Sequence, residues 1–125
     1  MAEPRSNRAV SVLWVLFGFD GRIGREVFWL GFLFMTAVAT IAMTPYRLAG
    51  GLPEEPDAYF LALLFVALWS EVALAVKRLH DRGLTGLFAF LLALPLVNFV
   101  LFAFLGLIPG EAGRNKYGPG PDARG

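Results

Sequence analysis

From residue 27 onward, long stretches without charge alternate with short polar breaks. Residues 27–44 and 87–108 carry no charge, and residues 58–76 carry one, Glu71. Runs of roughly 18–22 apolar residues, wound at ~1.5 Å per residue, match a hydrocarbon core ~30 Å thick. Helices apolar on every side have no face for water, and a chain of 125 residues cannot bury three of them in itself. The pattern predicts an all-α fold: an integral membrane bundle of three transmembrane helices, with spans of about 27–44, 58–76 and 87–108 in a membrane domain 27–108.

The breaks carry start and stop signals. Gly24 can cap the first helix, with Glu26 near the positive end of its dipole, and Pro45 ends it. The loop 45–57 holds Gly50, Gly51, Pro53 and Pro56 and reads as non-helical. Asp57 caps the second helix, which runs out into Lys77 and Arg78. Thr85 caps the third, which closes at Ile108-Pro109-Gly110. Residues 109–125, rich in Gly and Pro, read as an extended tail, and residues 1–26 as a cytoplasmic N-terminal region. There, Arg5 and Arg8 precede an apolar stretch, 10–19, of about the length of a signal-peptide core. No small-residue cleavage pattern follows it, and ten residues are too few to span. With Trp14, Phe17 and Phe19, this stretch is expected to lie along the membrane surface.

Basic residues set the expected orientation. Arg5, Arg8, Arg22 and Arg25 precede the first helix, and Lys77, Arg78 and Arg82 separate the second from the third. The 45–57 loop has Arg47 alone beside Glu54, Glu55 and Asp57, and the tail has Arg114, Lys116 and Arg124. With three full spans and a cytoplasmic N-terminus, seven basic residues lie inside and four outside, as the positive-inside rule requires. Pro95 sits midway through the third segment, with Asn98 close behind, and proline kinks a membrane helix by removing a backbone donor. A re-entrant pair there would return the tail inside and sharpen the bias to ten against one. The kinked full span is the expectation, because each half is too short for a normal hairpin.

Composition narrows the function classes. The hydrophobic fraction is 57 %, against ~45–50 % in soluble domains, and charged residues make up 17 %. A net charge of +1 provides no concentrated basic face, so no nucleic-acid partner is expected. The absence of cysteine excludes disulfides and thiolate chemistry. Small residues four apart, Ala58 with Ala62 and Ala89 with Ala93, suit close helix packing without saying which faces meet.

Polar chemistry concentrates in two motifs on the same expected side, Gly21-Arg22-Ile23-Gly24-Arg25 and Lys77-Arg78-Leu79-His80-Asp81-Arg82-Gly83. Such flanks fix orientation in the bilayer. They could also form an anion or lipid-headgroup site from Arg22, Arg25, Lys77, Arg78 and Arg82, because arginine forks bind phosphate oxygens in pairs. Glu71, His80 and Asp81 are candidates for a polar network. A carboxylate inside a span must face the bundle, be paired or be protonated. One histidine beside one aspartate gives at most two ligands, and no nucleophile–base–orienter set can be assembled. Catalytic residues, metal ligands and cofactors are therefore expected to be none.

Three ordered motifs give the chain a familiar cast: Phe19-x-Gly21-Arg22-x-x-Arg25-x-x-Phe28-Trp29, then Trp69 with Lys77-Arg78-Leu79-His80-Asp81-Arg82-Gly83-x-Thr85-Gly86, then Gly113-x-Asn115-x-Tyr117-Gly118-Pro119-x-Pro121. Together they resemble the small bacterial inner-membrane proteins catalogued as domain of unknown function 805, over about residues 10–121. The resemblance implies a multi-pass protein of the bacterial inner membrane with no established activity. The chain departs from that pattern at Leu87-Phe88, where a Trp pair is frequent, and at Ser70-Glu71, where Pro commonly follows the Trp. The expected function is a non-enzymatic interaction, scaffold or modulator subunit. Its expected partners are membrane lipids, anionic ones among them, and a second copy or another membrane protein. The alternatives are a headgroup or phosphate binder and, needing an oligomer to enclose a path, a transporter or channel component built on Glu71.

Overall fold

Six helical segments follow one another in a computed structural model that describes residues 11–124. Arg5, Arg8 and the first residue of the expected interfacial stretch, Val10, lie outside the described residues. Helix α1 (Val12–Phe17) is a short amphipathic turn: the Ser11 hydroxyl caps it by accepting from Trp14 N–H, and Trp14, Val15 and Leu16 are buried. Helix α2 (Arg25–Ala42) starts at Gly24, and α3 (Thr44–Leu48) follows it directly. That turn of helix corrects the reading of the 45–57 loop as wholly non-helical. Proline fits the first turn of a helix, where its missing N–H has no partner to lose, so Pro45 starts a turn as well as ending α2.

Helix α4 (Ala58–Asp81) begins where the Asp57 carboxylate accepts from Phe60 N–H at 2.8 Å and from the Tyr46 hydroxyl at 2.5 Å. Those two hydrogen bonds, the tyrosine's the stronger, hold the Asp57 carboxyl below its usual range. Two helices, α2 and α4, are long and apolar enough to cross a membrane. Only 17 % of the α2 stretch and 28 % of the α4 stretch is buried within the protein. A core helix of a soluble protein hides its apolar surface; these show theirs to the surroundings.

The third apolar segment is not one helix. A 3₁₀ helix (Gly86–Ala93), capped by the Thr85 hydroxyl, runs to an extended Leu94, and α5 (Pro95–Leu107) then returns. Gly86 packs against Val76 and His80, while the Ile108 carbonyl accepts from Arg78, so both ends of the segment meet the same end of α4. The expected full span over 87–108 is therefore replaced by a hairpin. The expectation failed on length: eight residues of 3₁₀ helix at ~2.0 Å rise reach ~16 Å, and thirteen α-helical residues reach ~20 Å. Either is enough to dip half-way into a ~30 Å layer and come back.

The core is gathered at one end. Every buried residue of α4 falls between Ser70 and Asp81, and none in its first twelve positions, 58–69. Around that half pack Trp14 and Leu16 from α1, Phe28 from α2, Leu92 from the 3₁₀ helix, and Phe102 and Leu105 from α5. Phe102 is the hub of an aromatic cluster, with ring centroids 4.6 Å from Phe28 and 4.7 Å from Phe32. Among the described residues there is no β-strand, only two isolated bridges, Arg22 with Ala123 and Asn115 with Gly118. The first ties the tail to the start of α2. The tail and the start of α2 therefore lie at the same end of the protein.

Candidate functional site: an arginine–aspartate cluster at the closed end

Four ionisable side chains are buried at this end. Arg22, Lys77 and Arg78 have relative exposures of 0 %, and Asp81 of 2 %. Asp81 sits in the last turn of α4, and Arg22 lies 59 residues earlier, just before α2. Arg22 Nε and Nη2 both lie 2.9 Å from Asp81 Oδ1, and Arg78 Nη1 lies 2.5 Å from Oδ2, so each carboxylate oxygen holds one guanidinium. Charge-assisted pairs of this kind offset the cost of removing the ions from water only when their other donors are also met.

Backbone carbonyls meet them. Arg22 Nη1 donates to Gly113 at 2.6 Å and Gly118 at 3.3 Å, and Nη2 to Glu111 at 2.7 Å. Arg78 donates to Leu105 at 2.7 Å, Ile23 at 3.2 Å and Ile108 at 2.6 Å. Lys77 turns toward α1, donating to the carbonyls of Trp14 (3.0 Å), Val15 (2.7 Å) and Gly18. A cation there also faces the negative end of a helix. The three cations thus tie α1, the start of α2, the end of α5 and the tail to one turn of α4.

The tail closes over the cluster. Asn115 donates to the His80 carbonyl at 2.8 Å, and Tyr117 stacks on the His80 ring with centroids 3.9 Å apart and planes at 5°. His80 Nδ1 donates to the Gly21 carbonyl at 2.9 Å. Asp122 accepts from Gly24 N–H at 2.8 Å, so the cap missing beside α2 is supplied from 98 residues away. Gly110 packs so tightly that a Cβ there would overlap the Asp81 carboxylate.

Of the residues singled out from sequence, Arg22, Arg78 and Asp81 come together. Arg22 and Arg78 converge, as an anion site would need, but on Asp81 and carbonyls of their own chain, with no face left for an outside anion. Lys77 stands apart in its own carbonyl cage. Exposed Arg25 and half-buried Arg82 lie near the end of α5, Arg25 Nη1 on the Leu107 carbonyl at 3.2 Å and Arg82 Nη1 on the Pro109 carbonyl at 2.6 Å. His80 joins the tail instead of the carboxylate. Among the described residues no group of three His, Asp or Glu is placed to hold a metal ion.

Glu71 belongs to a different place, which corrects its grouping with His80 and Asp81. Ten residues separate it from Asp81, about 15 Å of helix. Its Oε1 accepts from Asn98 Nδ2 at 3.1 Å, and the same amide group donates to the Leu92 carbonyl at 2.8 Å. Asn98 therefore fastens both limbs of the hairpin tip to α4, and satisfies a carbonyl freed by the break at Pro95. Beside Glu71 a cleft of about 320 Å³ opens between α2 and α4, with Thr36, Thr40 and Arg47 on its wall. Asn98→Leu is expected to cost about 1–2 kcal/mol, seen as a lower unfolding midpoint in detergent. Glu71→Gln, which keeps an acceptor, is expected to cost less than half as much. An Asn98→Leu protein as stable as the parent would remove the pin from the account.

Sequence reasoning passed over Asn98, Asn115, Tyr117 and Asp122 as partners. Asn115 and Tyr117 stood within the third motif, Gly113-x-Asn115-x-Tyr117-Gly118. Nothing local in Asp122 marked it as the cap of a distant helix.

The convergence of all three motifs on one turn of α4 is also where comparison with known proteins bears. The family described as "Protein of unknown function (DUF805)" matches residues 16–119, which include the motif arginines and the aspartate. The chain belongs to the DUF805 family. It is 33 % identical over 112 residues to inner membrane protein YhaI of Escherichia coli (strain K12), covering 90 % of this chain and 92 % of that one. It is also 33 % identical over 130 residues to the uncharacterized protein YiiR of the same strain, covering 82 % of this chain and 85 % of that one. No solved structure matches it. Within this DUF805 chain, the first motif supplies Arg22, the second Lys77, Arg78 and Asp81, and the third the carbonyls of Gly113 and Gly118.

Proposed function

We propose that this DUF805 protein is a non-enzymatic subunit of the bacterial inner membrane that acts by binding other membrane components. The observation that carries the reading is the contrast between its two ends. At one end, the buried charges are met by the chain itself, giving a rigid base. At the other, α2 and α4 stand with most of their apolar surface outward, offering faces for lipid or for another helix. The name of its relative YhaI, an inner membrane protein, agrees with the location.

In the proposed orientation α2 and α4 cross the bilayer and the 3₁₀–α5 hairpin dips in from the cytoplasmic side. The N-terminal region, the 82–85 turn and the tail then lie in the cytoplasm, and loop 45–57 lies outside. Ten basic residues fall inside and Arg47 outside, which supports this arrangement. Because the chain has no cysteine, single cysteines report cleanly. Glu54→Cys is expected to react with a membrane-impermeant maleimide in intact spheroplasts, and Lys116→Cys only after the membrane is opened. Labelling of both from outside would place the tail across the membrane and overturn the orientation. Gentle extraction from native membranes is expected to recover a second copy or another membrane protein in fixed ratio. A bare monomer would count against the subunit reading.

A further inference from the structure

Arg25, Arg78 and Arg82 gather around the end of α5 with Arg22 close by, and among the described residues only Arg22 and Arg78 have a carboxylate. Among the described residues the ion pairs are Arg22–Asp81 and Arg78–Asp81. Arg25 comes from the first turn of α2 and Arg82 from just beyond α4. Each is tied by a single nitrogen, to carbonyls only two residues apart, Leu107 and Pro109, on a stretch that is extended at Ile108. Arg82 Nε is buried without an acceptor. Both guanidinium groups are near enough to act on the charge of Arg78. Among the described residues the nearby acids do not answer them: Glu26 and Glu111 make no ion pair there, and Asp122 accepts from Gly24 N–H.

Beside Arg25, between α2 and α5, lies a groove of about 580 Å³ lined by Arg25, Glu26, Trp29, Leu30 and Gly106. Trp29 is fixed there, its indole N–H on the Gly106 carbonyl at 2.9 Å, packed so closely that a Cβ on Gly106 would overlap the ring. Arg25 stands beside Glu26 at the edge of this groove, above the apolar wall of Trp29 and Leu30. Arg82 lies outside the lining, two residues along the same backbone stretch, so the two guanidinium groups together outweigh the one carboxylate and suit an amphiphile with an anionic head.

We propose that Arg25 and Arg82 bind the phosphate of an anionic phospholipid, whose acyl chain lies along Trp29 and Leu30. Guanidinium forks hold phosphate oxygens in pairs, and the Nη2 groups of both residues, which have no partner among the described residues, supply donors with the adjoining Nη1 groups. Arg22 and Arg78, buried and satisfied, take no part beyond their charge. The proposal rests on this end lying at the cytoplasmic membrane surface. Binding in detergent is read without regard to orientation, so it fails or succeeds separately from the cysteine labelling.

The test is native mass spectrometry of the full chain in detergent, titrated with dioleoyl phosphatidylglycerol. Arg25→Gln/Arg82→Gln is compared with Arg114→Gln/Lys116→Gln, which removes the same charge from the exposed tail. One lipid per chain is expected on the parent and on the tail variant. Affinity should be weaker by roughly tenfold or more in the Arg25/Arg82 variant. Equal weakening in both variants would mean a diffuse charge effect and overturn the site. So would a parent that retains no lipid. Displacement of the lipid by excess inorganic phosphate would overturn the lipid assignment in favour of a free anion. Should the glutamine variant fail to fold, Arg25→Lys/Arg82→Lys keeps the charges and removes the forks. Weakening of severalfold then supports the site, and unchanged affinity overturns it.

Discussion

Asp81→Ala is expected to destabilise the protein by about 3–5 kcal/mol, the cost of leaving buried charges without their counter-ion. The substitution strips two fully buried guanidinium groups of the one carboxylate that meets them among the described residues. Their backbone bonds hold both in place, so neither can swing out to water without releasing Gly113, Leu105 or Ile108. The loss should appear as a fall in unfolding midpoint in detergent, followed by tryptophan fluorescence. Pairing Asp81→Ala with Arg22→Met removes one orphaned charge together with the acid and is expected to cost less than the sum of the two single changes. A single-variant loss below about 1 kcal/mol would show that the carbonyls alone suffice for the arginines.

The second large effect is expected at Gly21. Its φ of +86° is a conformation that costs residues with a side chain roughly 1–2 kcal/mol. A Cβ there would also overlap the Ala123 carbonyl oxygen and come within 2.8 Å of Arg124 Cα and 2.9 Å of the Trp14 ring. Gly21→Ala must therefore push the tail away and break the paired hydrogen bonds between Arg22 and Ala123, at 2.8 and 3.1 Å. Limited trypsin digestion reads the release at Arg114 and Lys116. Release of about 2 kcal/mol corresponds to cleavage roughly thirtyfold faster. Gly50→Ala is the control: its φ of +96° carries a similar backbone penalty, but nothing lies within 4 Å of the added methyl. Its tail should be cut at the parent rate. Equal rates for Gly21→Ala and the parent would show that the tail is held without this contact.

These predictions treat the motif residues as parts of a clasp, and that role was only half legible from sequence. The residues themselves stood out, because arginine, lysine and aspartate beside apolar runs are conspicuous. Their partners did not, because most are backbone carbonyls, which every residue carries and only the fold aims. Lys77 illustrates the difference. Its position after an apolar run reads as a headgroup anchor, whereas its ammonium group points back into the end of α1.

Sequence by itself determined the all-helical character, the two long apolar helices with their starts at Gly24 and Asp57, and the cap at Thr85, because these rest on local chemistry: hydropathy, side-chain oxygen near the first N–H groups, and proline. It also determined which residues carry charge at the ends of the helices. Tertiary structure decided the rest. Whether 87–108 crossed or turned back depended on Asn98 finding Glu71 and Leu92 at Pro95, a contact across 27 residues. Whether the arginines faced outward or inward depended on a tail 91 to 96 residues away supplying carbonyls to Arg22. Hydropathy records how much each segment avoids water. It carries no account of which distant backbone groups will be there to replace it.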